Sequence, residues 1–152
     1  MKSYFKVEEG QPSPLTCRVE RVVRFEEVDL LQIVWHGRYP SYFEDARVAL
    51  GEKYGIGYMD FYNNGVLAPI KKLHVDHHRP LVFGQHFSIQ ALLHWSDAAR
   101  MNFEFHIQNE ARELVASGYT VQMMMDLDRT ILLIPPPFYS EFQHRWKTGT
   151  FA

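Results

Sequence analysis

Three runs of alternating residues, separated by very short turns, occupy positions 86–125 and limit what this chain can become. Phe87, Ile89, Ala91, Leu93 and Trp95 alternate with His86, Ser88, Gln90 and His94. Met101, Phe103, Phe105 and Ile107 alternate with Asn102, Glu104, His106 and Gln108. In the third run Val115, Ser117, Tyr119, Val121, Met123 and Met125 share one side, read as its inner face. A period of two marks a half-buried strand. Connections as short as Ser96-Asp97 and Asn109-Glu110 require antiparallel neighbours.

The rest of the chain supplies two more strands and one clear helix. From Leu15 to Phe25 the pattern alternates again, with Cys17, Val19, Val23 and Phe25 on one face and an irregularity at Arg21-Val22. Val66 to His78 is extended, and Pro69 places its early part at an edge or bulge. Between them Tyr39, Tyr42, Phe43, Ala46, Ala49 and Leu50 form an apolar helical stripe. Pro40 suits its first turn and Gly55 its stop. Gly51 inside the helix implies close packing. Phe138, Phe142 and Trp146 predict a short C-terminal helix. One strand, one long helix and four strands make an α+β chain, in which the helix covers one face of an antiparallel sheet. The other face and the edges need cover, so oligomerisation is expected.

At 152 residues the chain is one domain. Residues 1–14, ending in Gln11-Pro12-Ser13-Pro14, read as a flexible arm, residues 15–146 as the folded domain and 147–152 as a tail. Lys and Arg number 16 against 18 Asp and Glu, so no nucleic-acid partner is expected. No apolar run reaches the ~18–20 residues of a bilayer span, so no membrane insertion is expected. The N-terminus lacks a secretory apolar segment, and the lone Cys17 suits a reducing compartment. A cytoplasmic location follows as an expectation. Aromatics make up 14% of residues, which suits an aromatic core or interface, an apolar cleft for an acyl or aryl ligand, or both.

The chemistry concentrates just before the helix. Asp29 follows a strand and precedes the helix start, where unpaired backbone N–H groups carry partial positive charge. A carboxylate opposite such amides can attack a carbonyl or activate water to do so. The same position suits an Asp that merely caps a turn. Glu26 and Glu27 read as a solvated loop face. His36 is either structural or able to orient Asp29, polarise a carbonyl or offer its backbone N–H. Glu44 and Arg47 have the spacing of a helical ion pair. His74, Asp76 and His78 share a strand face, but the spacing matches no zinc motif, so a solvated face is expected and no metal. Serine-hydrolase elbows, P-loops and dinucleotide fingerprints are absent from the sequence.

The stretch Phe25-Glu26-Glu27-Val28-Asp29-Leu30-Leu31-Gln32-Ile33-Val34-Trp35-His36-Gly37-Arg38-Tyr39, followed by Tyr42-Phe43-Glu44-Asp45-Ala46-Arg47, resembles the hotdog-fold 4-hydroxybenzoyl-CoA thioesterase family. It is most similar to the acyl-CoA thioesterase branch that includes the enzyme encoded beside the Tol-Pal system. Arg79-Pro80 and Phe83-Gly84-Gln85 extend the resemblance, which covers residues 15 to 128. It implies a single hotdog thioesterase domain, a sheet wrapped around one long central helix, assembled as a dimer or tetramer. It implies hydrolysis of acyl- or aryl-CoA, or acyl-carrier-protein, thioesters with no cofactor beyond the CoA of the substrate. Asp29 matches the family's catalytic carboxylate, as nucleophile or general base, and His36 the position whose N–H polarises the carbonyl. Tyr39 and Glu44 match positions near the site. Trp35 and Phe43 are expected to line the acyl cleft, and Arg79, Lys71 and Lys72 to meet the CoA phosphates. Gln32 departs from the family, which usually has Gly at that turn. A non-catalytic acyl-thioester binding module and a hotdog dehydratase are the alternatives.

Overall fold

The computed structural model describes residues 2–151. Its strands are β1 (Leu15–Val22), β2 (Ile70–His77), β3 (His86–His94), β4 (Arg100–Asn109) and β5 (Leu114–Met123). Its helices are α1 (Tyr39–Tyr54), α2 (Tyr58–Asn63) and α3 (Pro137–Thr148). All strand pairs are antiparallel, in the order β1-β3-β4-β5-β2. The alternating runs form the middle of the sheet, and the two strands that flank them in space come from earlier in the chain. With α1 laid against one face, the arrangement is the hotdog-like α+β fold.

Helix α1 begins with Pro40 in its first turn and ends at Gly55, whose φ of 75° only glycine adopts without strain. Its buried side carries Tyr39, Tyr42, Phe43, Ala46 and Leu50. Phe43 stacks on Phe105 of β4 with ring centroids 4.6 Å apart. Burying a side chain of this size contributes roughly 1.5–3 kcal/mol. Gly51 packs as expected, since a Cβ there would lie 2.8 Å from the Gly57 Cα.

The expected inner face of β5 is reversed. A Cβ on Gly118 would lie 2.6 Å from the Phe43 ring and run into the His74 carbonyl, so Gly118 faces α1, with Ala116, Thr120 and Gln122. Val115, Ser117, Tyr119 and Val121 occupy the outer face. Both sides of this strand are buried, so hydropathy did not separate them. Part of the outer cover comes from the arm: Tyr4 stacks on Tyr119 at 3.8 Å and Phe5 is buried against His94. On this face the buried Glu104 carboxylate accepts from His106, at 2.7 Å, from His94, at 3.2 Å, and from Ser3. Those bonds, led by His106, hold its carboxyl well below the usual range.

Three further expectations change. β1 stops at Val22, and a 3-10 turn at Phe25–Glu27 turns Phe25 outward, 76% exposed. Glu27 is buried rather than solvated. Arg47 makes no ion pair with Glu44. Its guanidinium, fully enclosed, donates to Gln122 Oε1 at 3.1 Å and the Ile56 carbonyl at 3.0 Å, and lies over the Tyr58 and Phe103 rings. Pro69 has the anticipated effect: the β2–β5 register slips between Ile70 and Lys72. No described helix is long and apolar enough to cross a membrane.

Candidate active site

Between β1 and α1 the chain makes a small hairpin closed by a bridge between Val28 and Val34. Asp29 N–H donates to the Ile33 carbonyl at 3.0 Å, and Gln32 N–H to the Asp29 carbonyl at 2.9 Å. Leu30, Leu31 and Gln32 form the loop. Gln32 sits at φ 63°, the left-handed residue that lets such a three-residue loop match the strand twist. Gln32 thus takes the shape glycine would supply, at a cost of about 1 kcal/mol.

The Asp29 side chain shares in this local structure: its Oδ1 accepts the Leu31 N–H at 2.8 Å. Its second oxygen makes no hydrogen bond among the described residues. Beyond the hairpin a 3-10 turn at His36–Arg38 runs directly into α1, leaving N–H groups at the helix start without helical partners.

Asp29 borders two clefts. One, of about 380 Å³, gathers Asp29, His36 and Tyr39 with His77, His78 and Arg79 from the end of β2. Leu31, Ile33, Val34 and Pro80 give it apolar walls. The Tyr39 ring meets the His77 ring edge-on at 4.7 Å, and burial pushes the Tyr39 phenol up, so it remains a proton donor. The other, of about 830 Å³, lies across the hairpin between Phe25, Leu30 and Gln32 on one side and Val82 and Phe83 on the other.

Four of the six expected site residues therefore meet in one cleft: Asp29, His36, Tyr39 and Arg79. Arg79 also pairs with Glu113 at 3.1 Å. The other two stand outside it. Trp35 lays its indole on Gly37, in the space a Cβ there would occupy, and the Glu44 carboxylate accepts the Tyr58 hydroxyl at 2.7 Å. Phe43 is in the core, and Lys71 and Lys72 border neither cleft. His77 and His78 were missed as cleft residues. Alternation along β2 carried the signal for His77, because His74, Asp76 and His78 on one face put His77 on the other. His74 pairs with Asp76 at 3.0 Å and His78 contacts Ser117 Oγ at 2.9 Å. Among the described residues no three His, Cys, Asp or Glu side chains are grouped to hold a metal ion.

Comparison with known proteins agrees with this architecture. A sequence profile of the Thioesterase-like superfamily matches residues 23–145. YneP of Bacillus subtilis (strain 168), provisionally named an acyl-CoA thioesterase, is 28% identical over 104 residues, 68% of this chain and 75% of its own. The chloroplastic acyl-acyl carrier protein thioesterase ATL3 of Arabidopsis thaliana is 27% identical over 145 residues, 93% of this chain and 75% of its own. In three dimensions the DHNA-CoA thioesterase of Staphylococcus aureus superposes with a TM-score of 0.76 at 23% identity, covering 88% of this chain and 95% of that one. The matched span takes in the Asp29 hairpin, α1 and every strand of the sheet except β1, and the chain belongs to the Thioesterase-like superfamily.

Proposed function

We propose that this protein hydrolyses acyl- or aryl-thioesters of CoA, or of an acyl carrier protein, to a free acid and a thiol. The observation that carries the reading is the uncommitted oxygen of Asp29, at the border of an apolar-walled cleft beside the start of α1. The relatives named as acyl-CoA and acyl-carrier-protein thioesterases support the reaction class.

The thioester carbonyl lies between Asp29 and the helix-start amides, with the His36 N–H among them. Those donors stabilise the oxyanion that forms on attack. Asp29 either takes a proton from water as the water oxygen bonds to the carbonyl carbon, or bonds to that carbon itself. In both cases the C–S bond breaks and the sulfur leaves as thiolate. In the second, water then hydrolyses the mixed anhydride and regenerates the carboxylate. No metal or organic cofactor is invoked. Tyr39 borders the bound ester, and Arg79, Lys71 and Lys72 are the basic side chains proposed for the CoA phosphates. The protein works in the cytoplasm within the acyl-CoA branch of the 4-hydroxybenzoyl-CoA thioesterase family.

Two exposed features support assembly as a homodimer, with a tetramer as its further assembly. β2 is an edge strand, and the hairpin tip presents Leu30 and Leu31 almost wholly to solvent. The test is free-thiol release from a panel of acyl- and aryl-CoA and carrier-linked esters, run beside Asp29→Asn. Turnover that collapses in the variant supports the reading. Full turnover in the variant sinks the assignment of Asp29. Tight binding without turnover in the native protein points to the binding module, and loss of water from a 3-hydroxyacyl ester without thiol release points to the dehydratase.

A further inference from the structure

Where the end of β1, the base of the Asp29 hairpin and α1 come together lies a third cleft of about 510 Å³. Two groups in it have unfinished hydrogen bonding. The Tyr42 side chain, from the first turns of α1, is 3% exposed, and its hydroxyl has no hydrogen-bond partner among the described residues. Glu27, 9% exposed, commits one carboxylate oxygen, Oε1, to the Arg24 N–H at 2.8 Å. Its other oxygen makes no hydrogen bond among the described residues. The remaining charged groups are already paired: Arg21 with Asp45 at 3.2 Å, Arg24 with Glu26 at 3.3 Å, and Glu20 with Arg18 at 3.2 Å. His86 also borders the cleft. A buried hydroxyl without a partner is costly, and the free oxygen of Glu27 is a buried acceptor in the same cleft.

Glu27 also stands where the hairpin is anchored. Its side chain ties back to Arg24, and its backbone carbonyl accepts the Trp35 N–H at 2.9 Å across the hairpin neck. Asp29 is two residues further on. We infer that Tyr42 donates its hydroxyl hydrogen to the free oxygen of Glu27, and that this bond fixes the distance between the Asp29 hairpin and the start of α1. Glu27 and Tyr42 are then positioning residues, touching no substrate. The inference rests on Asp29 carrying the hydrolysis proposed above. Burial, and then the Glu27 charge, push the Tyr42 phenol up, so it is a donor throughout the working pH range.

The experiment compares thiol release by the native protein with Tyr42→Phe, Glu27→Gln, the double variant and Asp29→Asn, with thermal unfolding of each. Small displacements of a reacting group cost far more rate than binding. Tyr42→Phe is expected to lower kcat on the order of tenfold while KM stays within about twofold and the folded fraction is unchanged. The double variant is expected to be no slower than the slower single one, because Tyr42→Phe already removes the bond that Glu27→Gln weakens. Unchanged kcat in Tyr42→Phe overturns the inference, as do additive losses in the double variant or a kcat loss that only tracks unfolding. An active Asp29→Asn overturns the underlying reading. An inactive Asp29→Asn beside a full-speed Tyr42→Phe overturns the positioning role alone.

Discussion

The Asp29 hairpin has a twin. At Asp126 the chain makes the same turn: Asp126 N–H donates to the Thr130 carbonyl at 3.0 Å, Arg129 N–H to the Asp126 carbonyl at 3.0 Å, and Asp128 N–H to Asp126 Oδ1 at 2.9 Å. Arg129 sits at φ 64°, as Gln32 sits at 63°. Both loops expose leucine, Leu30 and Leu31 in one and Leu127 in the other. A third copy, between β4 and β5, begins with Asn109 and ends at Arg112, φ 61°. Turn geometry therefore explains why an Asp or Asn opens each loop, and it says nothing about catalysis. What sets Asp29 apart is its surroundings: the start of α1, the cleft with His36 and His77, and a second apolar cleft across the loop.

The twin provides controls for a graded set of tests. The largest effect is expected from Asp29→Asn, which keeps the turn, as Asn109 does, and removes the carboxylate. Thiol-release kcat should fall by about 10²–10⁴ with no change in thermal midpoint, while Asp126→Asn stays within about twofold of native. Equal activity in the two variants would erase the distinction between the loops. Next, Leu30→Ser with Leu31→Ser should weaken self-association by about tenfold or more, read by sedimentation equilibrium across a range of concentrations. Leu127→Ser should leave it unchanged, and equal weakening would show that the Asp29 loop is not special as an interface. Smaller still, Asp29→Ala and Asp126→Ala should each cost about 1 kcal/mol in denaturant unfolding, the value of a lost side-chain cap. Unequal losses would mean one loop carries stability the other does not. The smallest effect belongs to Gln32→Gly and Arg129→Gly, each relieving a left-handed residue and gaining about 0.5–1 kcal/mol. Stabilisation at Arg129 alone would place a favourable contact on Gln32.

Much of the fold was legible because its core strands announce themselves twice, by period and by turn. Phe87 to Trp95 and Met101 to Ile107 bury the side that alternation assigned to them. The period failed at β5, where residues of both faces are covered and Gly118, with no hydropathy at all, marks the side that α1 approaches. Arg47 shows a different limit. Its spacing from Glu44 fits a surface ion pair, but Gln122, Ile56 and two aromatic rings, distant in sequence, enclose it instead. Glu27 was hidden for a similar reason, since it is covered in a cleft shared with Tyr42, which reaches it only once α1 has docked. At the site, the Asp29-to-Tyr39 stretch was recognisable as a local motif. His77 and His78 come from a strand almost fifty residues later, and nothing local ties them to Asp29.

The strand order bears on how the molecule assembles. β3, β4 and β5 are joined by short loops, so their pairing closes quickly and at little entropic cost. β1 and β2 occupy opposite edges of that meander, and each waits for residues made after it. Asp29 arrives with the first and His77 with the second. The cleft is thus expected to be the last part of the chain to form during folding. Amides of the hairpin should remain open to pulsed hydrogen exchange after those of β3–β5 are protected, and earlier protection of the hairpin would refute that order. Newly made chains then pass through a period in which β3–β5 are paired, the leucine-tipped hairpin is loose, and the cleft beside Asp29 is not yet assembled.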